Sequence, residues 1–166
     1  MALAVPRTWV VGEVVTAAMM NAEVRDQWND MIAGGTAFTS TWTATGTAPA
    51  LGNGTLASRY KLVGKMCDFI IKLTAGTTTT YGTGNWAFSL PFTVSSTGDW
   101  IGRAFAGDNS VGAAGYSQGT AFLAGAATTV VPYFGNTGAT AAATATAPQT
   151  WANADRLIIT GRYETA

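Results

Sequence analysis

The apolar positions of this chain change their period near residue 35. Before that point Met20, Val24, Trp28, Met31 and Ile32 recur at helical steps, with Glu23, Arg25, Asp26 and Asp30 largely on the opposite side. This spacing predicts one amphipathic helix over residues 16–32, with Thr16 as its N-cap and Gly34-Gly35 closing it. Residues 8–15 read as a short strand-like lead into it. Fewer than three heptads make such a helix marginal alone in water. Its stripe must therefore lie against the body of the protein or against copies of itself.

From Thr36 onward the period is two and the strand signals are short. Residues 36–45 alternate around Phe38 and Trp42, and residues 46–54, with Pro49 and Asn53-Gly54, read as loop and turn. Residues 56–63 and 65–74 face each other across Gly64-Lys65, a two-residue hairpin turn. In the second of these strands Cys67, Phe69, Ile71 and Leu73 point to one side, which marks that face as core. Further strands are expected at residues 86–92, 100–105, 121–124, 129–134 and 156–163. The Ala/Thr stretch 137–149 is low in complexity, yet its alternation suits an edge strand. The pattern predicts a mainly β fold, a jelly-roll-like antiparallel β-sandwich preceded by one N-terminal helix. The expected division is an attachment segment at residues 1–35 and a β-sandwich display domain at residues 36–166.

Composition sharpens this picture in one respect. Ala, Thr and Gly make up nearly half of the chain, while charged residues supply only 11%, against about 25% in ordinary soluble domains. A 48% hydrophobic content argues against a disordered tail. From Asn109 to Ala154 no Asp, Glu, Lys or Arg occurs, so threonine, serine, asparagine and glutamine must wet that surface. Such a surface suits a protein packed beside copies of itself, where like charges would repel, and equally suits a plain threonine-rich β-protein.

The net charge is zero without a run of either sign, which argues against nucleic-acid binding. No apolar stretch is long enough for a membrane span, and the first residues lack the layout of a signal peptide. Synthesis in a cytoplasm is the expectation. The single cysteine, Cys67, reads as a buried thiol.

Catalytic chemistry finds little support. Gly115-Tyr116-Ser117-Gln118-Gly119 has the outline of a hydrolase nucleophile elbow, but the chain has no histidine to serve as base. A serine in a β-turn is the expectation there. Without histidine and with one cysteine, the usual zinc and transition-metal sites are also missing. Asp99, Asp108, Asp155 and Glu164 could supply a carboxylate pair for glycoside hydrolysis, yet nothing in their spacing favours it. Gly82-Thr83-Gly84 has a partial dinucleotide-loop look with no helix after it. No enzyme activity and no cofactor are expected. Among the six tryptophans, Trp86, Trp100 and Trp151 are candidates for a glycan-contacting platform, with core packing as the competing reading.

Residues 8–18 (Thr-Trp-Val-Val-Gly-Glu-Val-Val-Thr-Ala-Ala), Asn21 and Val24-Arg25-Asp26 resemble the N-terminal signature of small virion structural proteins of tailed bacteriophages and prophages, particularly of actinobacteria. Gly52-Asn53-Gly54-Thr55-Leu56, Arg59-Tyr60 and Thr150-Trp151-Ala152 are similar to the β-domains that follow it. The resemblance implies a homotrimeric virion component made in the host cytoplasm, of capsid decoration, minor capsid or short spike type. Its partners would be itself and other virion proteins, joined through Trp9, Val15, Met20, Val24, Trp28 and Met31. The alternative is a tail fibre or minor tail module that binds a receptor or host surface glycan.

Overall fold

The computed structural model describes residues 7–136 and 139–166. An N-terminal helix, α1, covers residues 17–32 as an α turn (Ala17–Met20), a π stretch (Asn21–Arg25) and a second α stretch (Asp26–Ile32). Ten strands follow: β1 (Thr36–Phe38), β2 (Trp42–Ala44), β3 (Thr55–Val63), β4 (Met66–Thr74), β5 (Trp86–Ser89), β6 (Trp100–Gly107), β7 (Tyr116–Leu123), β8 (Thr129–Asn136), β9 (Ala139–Ala142) and β10 (Arg156–Glu164). The mainly β, antiparallel architecture matches the expectation from the alternating pattern and fits a jelly-roll-like sandwich.

The strands form one antiparallel sheet in the order β1-β3-β4-β10-β6-β7-β8-β5-β2, with β9 also pairing with β8. The two outermost strands, β1 and β2, are joined by three residues only. From Phe38 to Trp42 the chain can reach at most about 14 Å. The sheet must therefore curl until its two edges meet. At that seam Ser40 is buried and its hydroxyl donates to the Ser89 carbonyl at 2.8 Å, while the Thr41 N–H donates to the Ser89 hydroxyl at 2.8 Å. The predicted single strand over residues 36–45 is thus broken in the middle, because its halves pair with opposite edges.

Inside the curl lie Trp86, Phe88, Ile71, Leu73, Leu123, Val130, Leu157, Ile159 and Tyr163, each essentially sealed from solvent. Burying such side chains is worth about 1.5–3 kcal/mol each. Cys67, Phe69, Ile71 and Leu73 on β4 all point inward, as the alternation predicted. The β3–β4 hairpin turns at Gly64-Lys65 with Val63 opposite Met66, and Gly64 takes φ 59°. Pro132 sits within β8 where that strand's pairing passes from β5 to β9, so its missing N–H leaves no ladder bond unmade.

Two expectations are corrected. Residues 8–15 form no strand; a turn centred on Val11-Gly12 closes with the Glu13 N–H donating to the Val10 carbonyl at 3.0 Å. Residues 116–119 do not form a turn either. Ser117 lies in β7 opposite Ala106; Gly119 lets β7 pack close against the Tyr133 carbonyl, while Gly115 ends a 3-10 turn against Val111 and Asp108.

The loops separate into two ends. Near the β3–β4 turn, Val94 bridges to Thr165 and the Thr165 N–H donates to the Lys65 carbonyl. At the opposite end, loops 45–54 and 75–85 are zipped together by threonine and asparagine. The Thr47 N–H donates to the Thr83 hydroxyl at 2.8 Å, the Asn53 N–H to the Thr78 hydroxyl at 2.9 Å, and the Thr79 hydroxyl to the Leu51 carbonyl at 2.7 Å. A side chain at Gly46 or Gly82 would collide with the facing loop, which explains the glycines of the Gly82-Thr83-Gly84 run.

Candidate functional site

The sequence places α1 between a turn and the first strand, and the ends of the helix are locally satisfied. The Thr16 hydroxyl accepts from the Met19 N–H at 3.3 Å while the Thr16 N–H reaches the Met19 sulfur at 3.4 Å, a capping box with methionine in the usual Glu/Gln position. The stripe moves in steps of four from Met20 to Val24 to Trp28. A step of four overshoots an α turn of about 3.6 residues and falls short of a π turn. The π stretch therefore holds these three side chains nearer to one line than an unbroken α-helix would.

No residue of α1 is buried. Met20, Val24, Trp28 and Met31 are 45%, 39%, 60% and 48% exposed, and in the lead Trp9 and Val15 are 46% and 51% exposed. All six residues that the sequence singled out for docking thus stand open to solvent. Between the two alternatives for the stripe, packing on the chain's own β body is not what the fold does.

The helix is nevertheless held at its C-terminal end. Lys61 on β3 pairs with the Asp30 carboxylate at 3.8 Å and also donates to the Asp30 carbonyl. Arg59, two residues earlier on the same face of β3, donates from Nε to the Gly35 carbonyl at 3.1 Å. A cleft of about 260 Å³ opens where the helix end meets the body, between Asp30, Lys61, Tyr60 and Phe92. In the lead, Glu13 accepts from Arg7 at 2.5 Å and from the Val10 N–H at 3.3 Å, and the Arg7 guanidinium lies 5.1 Å from the centre of the Trp9 ring.

The tryptophan platform does not form from the three residues named for it. Trp86 is fully buried and Trp151 is 5% exposed, their rings 5.1 Å apart in the core. Each indole N–H is used internally, Trp86 on the Tyr81 carbonyl and Trp151 on the Thr144 carbonyl. Trp100 is half-buried against the same core. The curled sheet needs large side chains to fill its interior, and these rings are taken up by that need.

The four acids are likewise spoken for or scattered. Asp155 is 1% exposed and accepts from the Asn109 and Ala152 N–H groups, each at 2.8 Å, and from the Gln149 amide at 3.2 Å. It fastens two loops together. Asp108 accepts from the Ser110 hydroxyl and N–H, and these bonds hold its carboxyl below the usual range. Asp99 accepts from the Gly125 N–H at 2.9 Å, and Glu164 ends β10. Among the described residues no group of three or more potential metal ligands is drawn together, and no helix is long and apolar enough to cross a membrane.

One surface feature escaped the sequence reading. On the outer face of β7, β8 and β9, Thr120, Phe122, Tyr133 and Thr140 line a shallow depression of about 400 Å³. The Phe122 and Tyr133 rings meet edge to face at 6.2 Å. The signal was present as alternation: Thr120 and Phe122 are the outward partners of the buried Ala121 and Leu123.

No protein-family model matches the chain, and no solved structure matches it. Over 117 residues, 69% of its length, the chain is 39% identical to a protein of Haemophilus influenzae described as a Mu-like prophage FluMu defective tail fiber protein. The match spans 18% of that relative's own length.

Proposed function

We propose that this chain is a structural component of a phage virion, of tail-fibre or minor tail type, that joins its partners through the N-terminal segment and carries the β body outward. The observation that carries the reading is the helix with its whole apolar stripe exposed ahead of a closed, charge-poor β body. A stripe that its own body leaves uncovered is a stripe for another chain. The likeness to a tail fiber protein supports the phage setting. It favours the tail-fibre reading over capsid decoration, minor capsid or spike, and its Haemophilus source lends no support to an actinobacterial origin.

On this reading residues 1–35 act as the attachment segment, residues 36–166 as the displayed domain, and Trp9, Val15, Met20, Val24, Trp28 and Met31 make the docking or homotrimer contacts. The partners are further copies and other virion proteins, the site of action is the virion, and the role is non-enzymatic. The test is a chain lacking residues 1–35, followed by circular dichroism and by incorporation into particles. A cooperatively melting body that no longer joins virions is the expected result. Incorporation without the segment would sink the attachment role, and a full-length chain that stays monomeric in light scattering and on particles would sink the trimer.

A further inference from the structure

We infer that the depression on the outer face of β7–β9 is a binding site for a single neutral pyranose ring. The inference deepens the receptor-binding form of the reading above and rests on it. Three features lead there. Phe122 and Tyr133 set two rings nearly perpendicular, at 81°, so the site presents an aromatic wall on which the C–H face of a sugar can stack. Thr120 and Thr140 bring hydroxyls to the same depression, able to donate to and accept from sugar hydroxyls. Its lining contains no charged residue, and strands β7, β8 and β9 carry none at all.

A glycine stands beside the depression. Gly135 stands opposite Thr140 in register and two residues on from Tyr133, hence on the same outward face. A side chain added at Gly135 would meet nothing within 4 Å. A glycine inside a strand weakens it and often marks a bulge, a bend or a place where a ligand or another backbone comes close. Here it leaves the strand surface opposite Thr140 without a side chain. The depression, about 400 Å³, is open and shallow, and offers room for one ring laid against its aromatic wall. Neutral, hydroxyl-rich and ring-shaped is the chemistry this lining accepts. Arg103 stands opposite Thr120 on β6 and is not part of the lining.

The test is amide shift mapping of the full-length chain with methyl glucoside, methyl galactoside, methyl mannoside and N-acetylglucosamine, each to about 10 mM, a range that detects millimolar affinity. At least one sugar should move the amides of Thr120, Phe122, Tyr133 and Thr140. Gly135→Val adds a strand-compatible side chain beside Thr140, at the edge of the depression, and should weaken that sugar at least about tenfold, with the remaining spectrum unchanged. Tyr133→Ala provides the same reading should the valine disturb β8. No response to any of the four sugars, shifts located elsewhere, or binding indifferent to both variants would overturn the site. Concentration-dependent broadening of these residues without sugar would also overturn it, because a second copy would then cover the face. Particle incorporation of Gly135→Val keeps the two readings apart: lost sugar binding with normal incorporation concerns this site alone, whereas a loss of incorporation in the chain lacking residues 1–35 concerns only the attachment segment.

Discussion

Trp28 and Trp86 are the same residue type in two regions that treat it in opposite ways. Trp28 lies on α1 and is 60% exposed, while Trp86 opens β5 and is fully buried among Trp42, Tyr81 and Trp151. The helix satisfies its own backbone and leaves its apolar face to others. The body spends most of its large side chains on closing a curled sheet, and covers much of its outside with threonine and small residues, Ile101 and Tyr116 being exposed exceptions. An apolar side chain in the first region therefore speaks for association, and in the second for stability.

The sharpest way to break that comparison is to remove both indoles separately. Trp86→Ala should lower the unfolding free energy of the body by about 3–5 kcal/mol, the usual range for emptying a large aromatic from a core. Trp28→Ala should leave that stability within about 0.5 kcal/mol, as exposed substitutions do, while weakening self-association or particle joining. Denaturant melts paired with light scattering read both. Equal destabilisation by the two would mean that α1 packs on the body after all.

Asp155 tests whether the far loops depend on one carboxylate. Asp155→Ala removes the acceptor for three donors and leaves two backbone N–H groups without it. The expected loss is about 2 kcal/mol, with faster hydrogen exchange in residues 108–115 and 147–155 and no change in α1.

A third test uses alkaline pH. Burial pushes the Tyr163 hydroxyl far above its ordinary 10.0, with the Cys67 thiol beside it adding to the shift. Its folded pKa is raised, so its contribution is complete below pH 10 and is lost above it, where the unfolded chain gives up the proton and the folded chain keeps it. Stability of the body should fall by about 1.4 kcal/mol per pH unit there. Tyr163→Phe should flatten that slope, at the expense of the hydrogen bonds with the Phe92 backbone. An unchanged slope would show that other groups govern alkaline unfolding.

The smallest effect belongs to the helix cap. Thr16→Ala should destabilise α1 by about 1 kcal/mol, seen as lost helical ellipticity with an unaltered melting temperature of the body. A matching drop in the body's melt would couple the two regions more tightly than the Lys61 and Arg59 contacts imply.

Much of the fold was legible because short-range rules decide it. The hairpin over residues 55–74 was readable from alternation and a glycine at the turn, and α1 from its stripe and cap. The break at Ser40 was not, since nothing local distinguishes a bent strand from two strands pairing with opposite edges. The motif around Ser117 misled for a similar reason: Gly119 serves close strand packing, a fact visible only beside Tyr133. The tryptophans named for glycan contact were misplaced because an indole in a strand has the same local pattern whether its face is covered or open. The outward pair Phe122 and Tyr133 drew no notice, although each alternates with buried neighbours.

What the sequence determined by itself is therefore the inventory: one short amphipathic helix, many short antiparallel strands, their inward faces, and a chain without histidine. These follow from neighbours within a few residues, where backbone period and capping act. The tertiary structure alone decided which strands lie side by side, that the three residues between β1 and β2 force the sheet to close, and which tryptophans are hidden. Burial is a property of long-range contacts, and the loop that brings Ser40 to Ser89, forty-nine residues away, leaves no mark in the period of either strand.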